Sequence, residues 1–304
     1  MKLSIVTTLY YSAPYIEEFY SRISACASEI TEDYELIFVN DGSPDNALEI
    51  CLALRQQDKR VCVVDLSRNF GHHKAIMAGL SSSKGDYVFL IDIDLEEAPE
   101  LLNTFYLEIT KSNLDLVYGI QGNRKGGIFE RMTGGLFYWI FNKLSGLQIP
   151  PNQLIARIMT RRFVNALIKF RESELFLAGL QELTGFSRVG ILCKKQSKGS
   201  TTYTLSKKIF QAVNAITSFS NIPLILLFYL GLIIMCASMI LGAYIIIRYF
   251  YGGTGVQGWL SLMLIISFFS GIIILSIGVL GIYISKIFME VKARPNVIVR
   301  EIFR

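Results

Sequence analysis

The 304-residue sequence predicts an α/β domain on a mostly parallel sheet, followed by a two-helix membrane hairpin. Three observations predict it. Short β-branched runs alternate with stretches of helical length, the pattern of successive βαβ units. One of these runs, Tyr87 to Ile91, flips abruptly into Asp92, Asp94, Glu96 and Glu97. Two late runs, Leu224 to Ile247 and Trp259 to Ser285, carry no charge at all, and each exceeds the roughly 20 residues a helix needs to cross a bilayer.

The elements follow in order. Leu3 to Leu9 is a β-branched strand, then a loop through Pro14 and an amphipathic helix to about Ile30. Glu35 to Val39 is a second strand. It ends in Asn40-Asp41-Gly42-Ser43-Pro44-Asp45, a turn before a helix that Ser43 or Asp45 can cap. Val61 to Leu66 is a third strand, and Ser67 to Lys74 leads into a helix through about Ser82. Tyr87 to Ile91 is the fourth strand, with Pro99 opening the next helix. Asp115 to Tyr118 is a fifth.

The acidic segment is the candidate site. Open α/β sheets bind ligands just outside the carboxyl ends of their strands. Asp92, Asp94 and Glu96 alternate, so in an extended segment they share one side. Three hard oxygen ligands suit Mg²⁺ or Mn²⁺ held together with substrate phosphates. Thr8 and Tyr10 end strand one, Asp41 ends strand two, and all three face the same crevice. Asp41 reads either as a hydrogen-bond acceptor for a nucleobase or ribose, or as half of a tight Asp41-Gly42 turn. His72 and His73 are the only histidines. Being adjacent they point to different sides, which favours a helix start near the crevice, or plain surface, over a metal pair.

From Ile128 to Leu147, apolar residues recur at helical spacing with Arg124, Lys125, Arg131 and Lys143 around them. Such a helix packs on the sheet or lies in a membrane interface, and the anchored chain favours the interface. Residues 203–222 read the same way. The domain layout is then a catalytic domain over 1–202, a juxtamembrane helix over 203–222, spans within 223–286, and a basic tail over 287–304. Lys207 and Lys208 precede the spans and Lys286, Lys292, Arg294, Arg300 and Arg304 follow, against Arg248 alone between them. The positive-inside rule places both termini in the cytosol. Met1 begins a strand pattern, so no cleaved signal peptide is expected. The net charge of +5 favours an anionic lipid surface over a polyanionic ligand, and no nucleic-acid partner is expected. Five cysteines without a C-x-x-C pair read as reduced thiols.

Ser4-Ile-Val-Thr-Thr-Leu-Tyr10, Asn40-Asp-Gly-Ser43, Arg68-Asn-Phe-Gly71, Asp92-Ile-Asp-Leu95 and Pro99, in this order, resemble the inverting family 2 glycosyltransferases of GT-A fold. Gly122-Asn-Arg-Lys125, Phe176-Leu-Ala-Gly-Leu180, Ser218-Phe-Ser220 and the stretch from Gly281 to Pro295 narrow the resemblance to polyisoprenyl-phosphate glycosyltransferases. That resemblance implies transfer of a hexose from a nucleotide sugar (UDP- or GDP-linked) to a polyprenyl phosphate such as undecaprenyl phosphate. It further implies the cytosolic face of a bacterial inner membrane, a homotetramer, and a role in surface polysaccharide, lipopolysaccharide or O-antigen assembly. By position, Asp92, Asp94 and Glu96 match the divalent-metal site and Asp41 the base-binding acid. Arg124 and Arg131 match basic residues that hold donor or acceptor phosphate, and Arg157 matches the arginine of a G-D-F-R segment, where it could join them on the acceptor phosphate.

The departures are informative. Glu96 stands where the family usually has Gln, Tyr11-Ser12 replaces Asn-Glu, Gln196 replaces an arginine, and Ile155 replaces an aspartate proposed as general base. Lys195 and Lys198 can replace the arginine only as point charges. A phosphate monoester has a second pKa near 6. It is already largely dianionic at neutral pH, so a missing base hurts it far less than it would a sugar hydroxyl. A glycan or other lipid acceptor, and a catalytically inactive scaffold, are the rival expectations.

Overall fold

The structure is a computed structural model that describes residues 2–122, 128–172, 175–194, 205–251 and 259–304. Two compact units divide the chain. One comprises residues 1–142, 147–205 and 294–304, and the other 143–146 and 206–293.

The first unit is a layered α/β body. In chain order its elements are β1 (Leu3–Leu9), α1 (Ile16–Ile30), β2 (Tyr34–Asn40), α2 (Ala47–Gln57), β3 (Val61–Leu66), α3 (His72–Ser82), β4 (Tyr87–Leu90), α4 (Leu101–Lys111) and β5 (Leu116–Gln121). Then come α5 (Ile128–Ser145, whose end enters the second unit), β6 (Gln153–Thr160), α6 (Arg161–Leu167), α7 (Leu177–Leu183) and β7 (Arg188–Cys193). After the second unit, β8 (Val299–Phe303) completes the body. The sheet has eight strands in the order β7-β5-β6-β4-β1-β2-β3-β8.

The centre of the sheet, β4-β1-β2-β3, is parallel, with Val6 beside Leu90 and Thr8 beside Val39. These strands are buried almost throughout, because helices cover both faces of a parallel sheet. On one face α1 turns Ile16, Phe19, Ile23, Cys26 and Ala27 inward at helical spacing. Phe19 meets Phe38, and Phe105 of α4 meets Phe89, both edge to face. Each such ring contributes about 1.5–3 kcal/mol of burial. On the other face α3 lies so close that a Cβ at Gly79 would sit 2.4 Å from Val6 Cγ1.

The flanks are not parallel. Strand β6 inserts antiparallel between β4 and β5, and β8 pairs antiparallel with β3, Val63 opposite Phe303. The expected helix over 128–147 is present as α5; Phe141 is buried against Phe176, while Trp139 is exposed. Neither Ser43 nor Asp45 is the N-cap of α2; that position is Asn46, and Asp45 Oδ1 only reaches Ala47 N at 3.4 Å.

The second unit holds α8 (Leu205–Phe219), α9 (Ile222–Phe250) and α10 (Trp259–Val291). Within α9 and α10, Ile222–Leu241 and Phe268–Val291 are long and apolar enough to cross a membrane. Large apolar side chains such as Phe228, Ile240 and Ile274 are exposed, which water would not favour and lipid would. Ser220 ties the unit together: Tyr283 Oη donates to its carbonyl at 2.7 Å, and its own hydroxyl donates to Leu144 O. All five cysteines are free, with Cys236 exposed and the others buried.

Candidate active site

Three strand ends build the crevice. Strand β1 delivers Thr8 and Tyr10, β2 delivers Asn40 and Asp41, and β4 runs through Ile91 into Asp92 and Asp94. Parallel pairing of β2, β1 and β4 puts these ends side by side. Two residues there have positive φ without being glycine, Tyr11 (54°) and Leu95 (61°). Such conformations cost about 1–3 kcal/mol and cluster where function demands them.

Asp92 and Asp94 are half-buried. His72, the first residue of α3, joins them to β1: its Nε2 lies 3.4 Å from Asp92 Oδ1 and its Nδ1 3.1 Å from Thr8 Oγ1. Desolvation holds the His72 imidazole below its ordinary pKa, against the pull of Asp41 and Asp94. His72 thus stands between Thr8 and Asp92, within reach of both. The neighbouring histidine points elsewhere. His73 Nδ1 meets Leu175 O at 2.8 Å and fastens the segment before α7.

The acidic segment is not extended. Leu95 in the left-handed region turns the chain, and Asp94 Oδ1 accepts from Glu96 N at 3.0 Å. The premise of an extended segment, on which the three acids were expected to share one side, therefore does not hold. Among the described residues no three His, Cys, Asp or Glu side chains gather into a metal-holding group. Two carboxylates at a strand end still match what Mg²⁺ requires, because substrate phosphates and water complete its shell.

Asp41 is buried, and both its oxygens accept backbone N–H groups, from Phe70 at 2.7 Å and Gly71 at 3.0 Å. Burial raises its pKa and those two bonds oppose the rise. These bonds hold the 68–71 loop against the Asn40–Ser43 turn. Gly42, at φ +61°, permits the approach: a Cβ there would lie 2.5 Å from Asn69 N. Tyr10 is half exposed and stacks edge to face on Tyr11, ring centroids 4.9 Å apart.

Glu97 is buried at the same strand end, a role its place in the acidic run did not reveal. Its oxygens accept from Ile155 N (3.0 Å) and Ala156 N (2.6 Å), tying β4's exit to β6. Beside it lies a cavity of about 220 Å³ lined by Gln121, Tyr138, Asn152, Gln153 and Ile155. The Arg157 guanidinium is bonded within the fold. The residue is 3% exposed, and its guanidinium donates to Leu154 O, Ile155 O and Gln181 Oε1. Burial brings its pKa down to about 10, partly offset by Glu97 and Asp92. The backbone carbonyls of its own strand have captured the fork. Arg124, Lys195, Gln196 and Lys198 lie outside the described residues, as does the side chain of Arg131.

An α/β body with acids at the mouth of its central strands, followed in the chain by two long apolar helices, is a frame that many enzymes could share. Similarity to known proteins supplies the family. The family model described as Glycosyl transferase family 2 matches residues 4–170. A Mycobacterium tuberculosis protein described as a glycosyltransferase is 45% identical over 303 residues, covering 100% of this chain and 89% of the relative. The prophage bactoprenol glucosyl transferase homolog of Escherichia coli is 32% identical, covering 99% of both chains. The SfII prophage-derived bactoprenol glucosyl transferase of Shigella flexneri is 33% identical, covering 100% of this chain and 99% of the relative. The chain belongs to glycosyl transferase family 2 and is a glycosyltransferase.

Proposed function

We propose that the protein transfers a hexose from a nucleotide sugar to a polyprenyl phosphate, with inversion at the anomeric carbon. The observation that carries this is the pair Asp92 and Asp94 at the mouth of β4, in a chain that also holds two helices of bilayer length. End-to-end similarity to bactoprenol glucosyl transferases supports the lipid acceptor.

In the reaction, a phosphate oxygen of the lipid forms the new bond to the anomeric carbon while the bond to the nucleotide diphosphate breaks. The electron pair leaves with the diphosphate. Asp92 and Asp94 would hold the divalent cation, Mg²⁺ or Mn²⁺, which when bound neutralises charge on the leaving diphosphate. His72 and Thr8 fix the orientation of Asp92. Thr8, Tyr10 and the turn at Asp41 form the donor side, and Tyr10 offers an exposed ring to a base. Ile155 places no carboxylate beside the cavity, and a dianionic acceptor needs no base to become a nucleophile. Arg124 and Arg131 serve the acceptor phosphate in this reading, since a guanidinium grips phosphate with two donors. A cytosolic catalytic domain at the bacterial inner membrane, homotetrameric assembly and a place in surface polysaccharide synthesis complete it.

The test supplies membranes containing the protein with undecaprenyl phosphate and each of several radiolabelled nucleotide sugars. Label is expected in an acid-labile lipid, and Asp94→Ala is expected to lower its formation at least ~10²-fold with membrane insertion intact. Near-normal metal-dependent turnover in that variant would refute the site. Label entering a glycan instead would refute the acceptor.

A further inference from the structure

The strand that follows the two long apolar helices in the chain forms the edge of the sheet beside β3. Strand β8 pairs with β3, and Ile298 O accepts from Ser67 N at 2.9 Å. From β8, Arg300 donates through Nη1 to Asp65 Oδ2 (3.0 Å) and through Nη2 to Ser67 O (3.0 Å). Asp65 is buried at the end of β3, and its other oxygen accepts from Asn40 Nδ2 at 2.7 Å. Asn40 Oδ1 in turn accepts from Ser43 N at 3.0 Å. Ser43 Oγ accepts from Tyr11 N at 2.8 Å and donates to Asp45. One line of hydrogen bonds thus runs from Arg300 to the turn that carries Asp41 and to the strained Tyr11.

We infer that Arg300 is a positioning residue for the donor nucleotide, acting through Asp65 and Asn40 on the Asn40–Ser43 turn. The physical reason lies in Asp65. A buried carboxylate needs several donors to offset its lost hydration. Without Arg300 it keeps Asn40, and water must enter to replace the guanidinium. Asn40 then no longer has one fixed orientation, and the amide oxygen that pins Ser43 N moves with it. The side chain of Arg300 is itself 59% exposed, so its removal leaves no cavity in the core. The inference rests on the reading that this turn faces the nucleotide.

The experiment uses the full chain in detergent or nanodiscs and measures UDP and GDP binding with Mn²⁺, together with donor KM and kcat. Four variants are compared: Arg300→Ala, Arg300→Lys, Asp41→Asn and Arg304→Ala. Arg304 lies just past the same strand but donates to Ser82 O, away from the turn. Arg300→Ala is expected to raise donor Kd and KM about tenfold with kcat within twofold, Arg300→Lys to recover part of the loss, and Arg304→Ala to bind as wild type. A merely structural role would lower the amount of folded protein and leave KM unchanged. Wild-type KM in Arg300→Ala, or an equal effect of Arg304→Ala, overturns the inference while weakened binding in Asp41→Asn preserves the donor site. Unchanged binding in both Asp41→Asn and Arg300→Ala overturns the donor reading, and the inference with it.

Discussion

Gly42 shows how much one residue carries in the crevice. Its φ of +61° and the 2.5 Å separation between a built Cβ and Asn69 N leave no room for a side chain. The obstacle is backbone, which cannot rotate away. Gly42→Ala is expected to cost on the order of 1–3 kcal/mol and to weaken donor binding, read as a lower melting temperature and a higher nucleotide Kd. His73 gives a prediction in pH. Burial, and the neighbouring His72, hold its folded pKa below the ordinary value. Below about pH 6.5 the unfolded chain binds a proton that the folded chain resists. Stability from this group is thus present above that pH and lost as pH falls through the folded pKa. Melting curves from about pH 7.5 to 5.5 should fall less steeply for His73→Gln than for the wild type; parallel curves would contradict the assignment. The sequence made Asp92, Asp94 and Asp41 visible because acids at strand ends are rare in apolar surroundings. It could not show that Asp41 faces backbone amides, or that Arg157 turns to its own strand, because those depend on loop closure across 29 residues and on rotamers. The signal for Glu97 was present only as one more acid in a run.

Among elements, α3 links the sheet to the site. It starts with His72 at Asp92 and then lies with Gly79 against Val6 and Val39. Gly79→Ala gains about 1 kcal/mol of helix propensity and loses about 1–3 kcal/mol to overpacking, because a Cβ would meet Val6 Cγ1 at 2.4 Å. The expected outcome is a less stable protein with a raised donor KM, since the helix shifts at both ends. Adding Val6→Ala should restore part of the stability; strictly additive losses would show that the contact is not the cause. The strands with strong β-branched runs, β1 to β4, were legible from the sequence. Strand β6 was not: Gln153-Leu-Ile-Ala-Arg-Ile-Met-Thr160 lacks clean alternation, because it is covered on both sides as an antiparallel insert. Strand β8 was hidden by its charge, since Val299-Arg-Glu-Ile-Phe303 reads as a basic tail and is an edge strand. Charged side chains suit an edge, where they oppose pairing with other chains.

For the whole molecule, the two units make separable demands. The apolar runs of α9 and α10 should hold the chain in the membrane pellet through alkaline carbonate extraction; release into the supernatant would rule out spanning. Chelation by EDTA should abolish transfer, and Mn²⁺ or Mg²⁺ should restore it, while the melting temperature without nucleotide stays nearly unchanged. That last readout separates a metal recruited with the substrate from a structural one. Hairpin length and the absence of charge made the second unit legible from composition alone. The first unit's reliance on residues 294–304 was not, because a sequence shows no sign of which distant strand will receive its partner.

The pairing of β8 with β3 has a consequence for biosynthesis. A ribosome makes α9 and α10 before it makes β8. Until then the β3 edge of the sheet stands unpaired and Asp65 waits for Arg300. Maturation of the catalytic body is thereby ordered after translation of α9 and α10, so a nascent chain that stops short of them is also one whose sheet is incomplete.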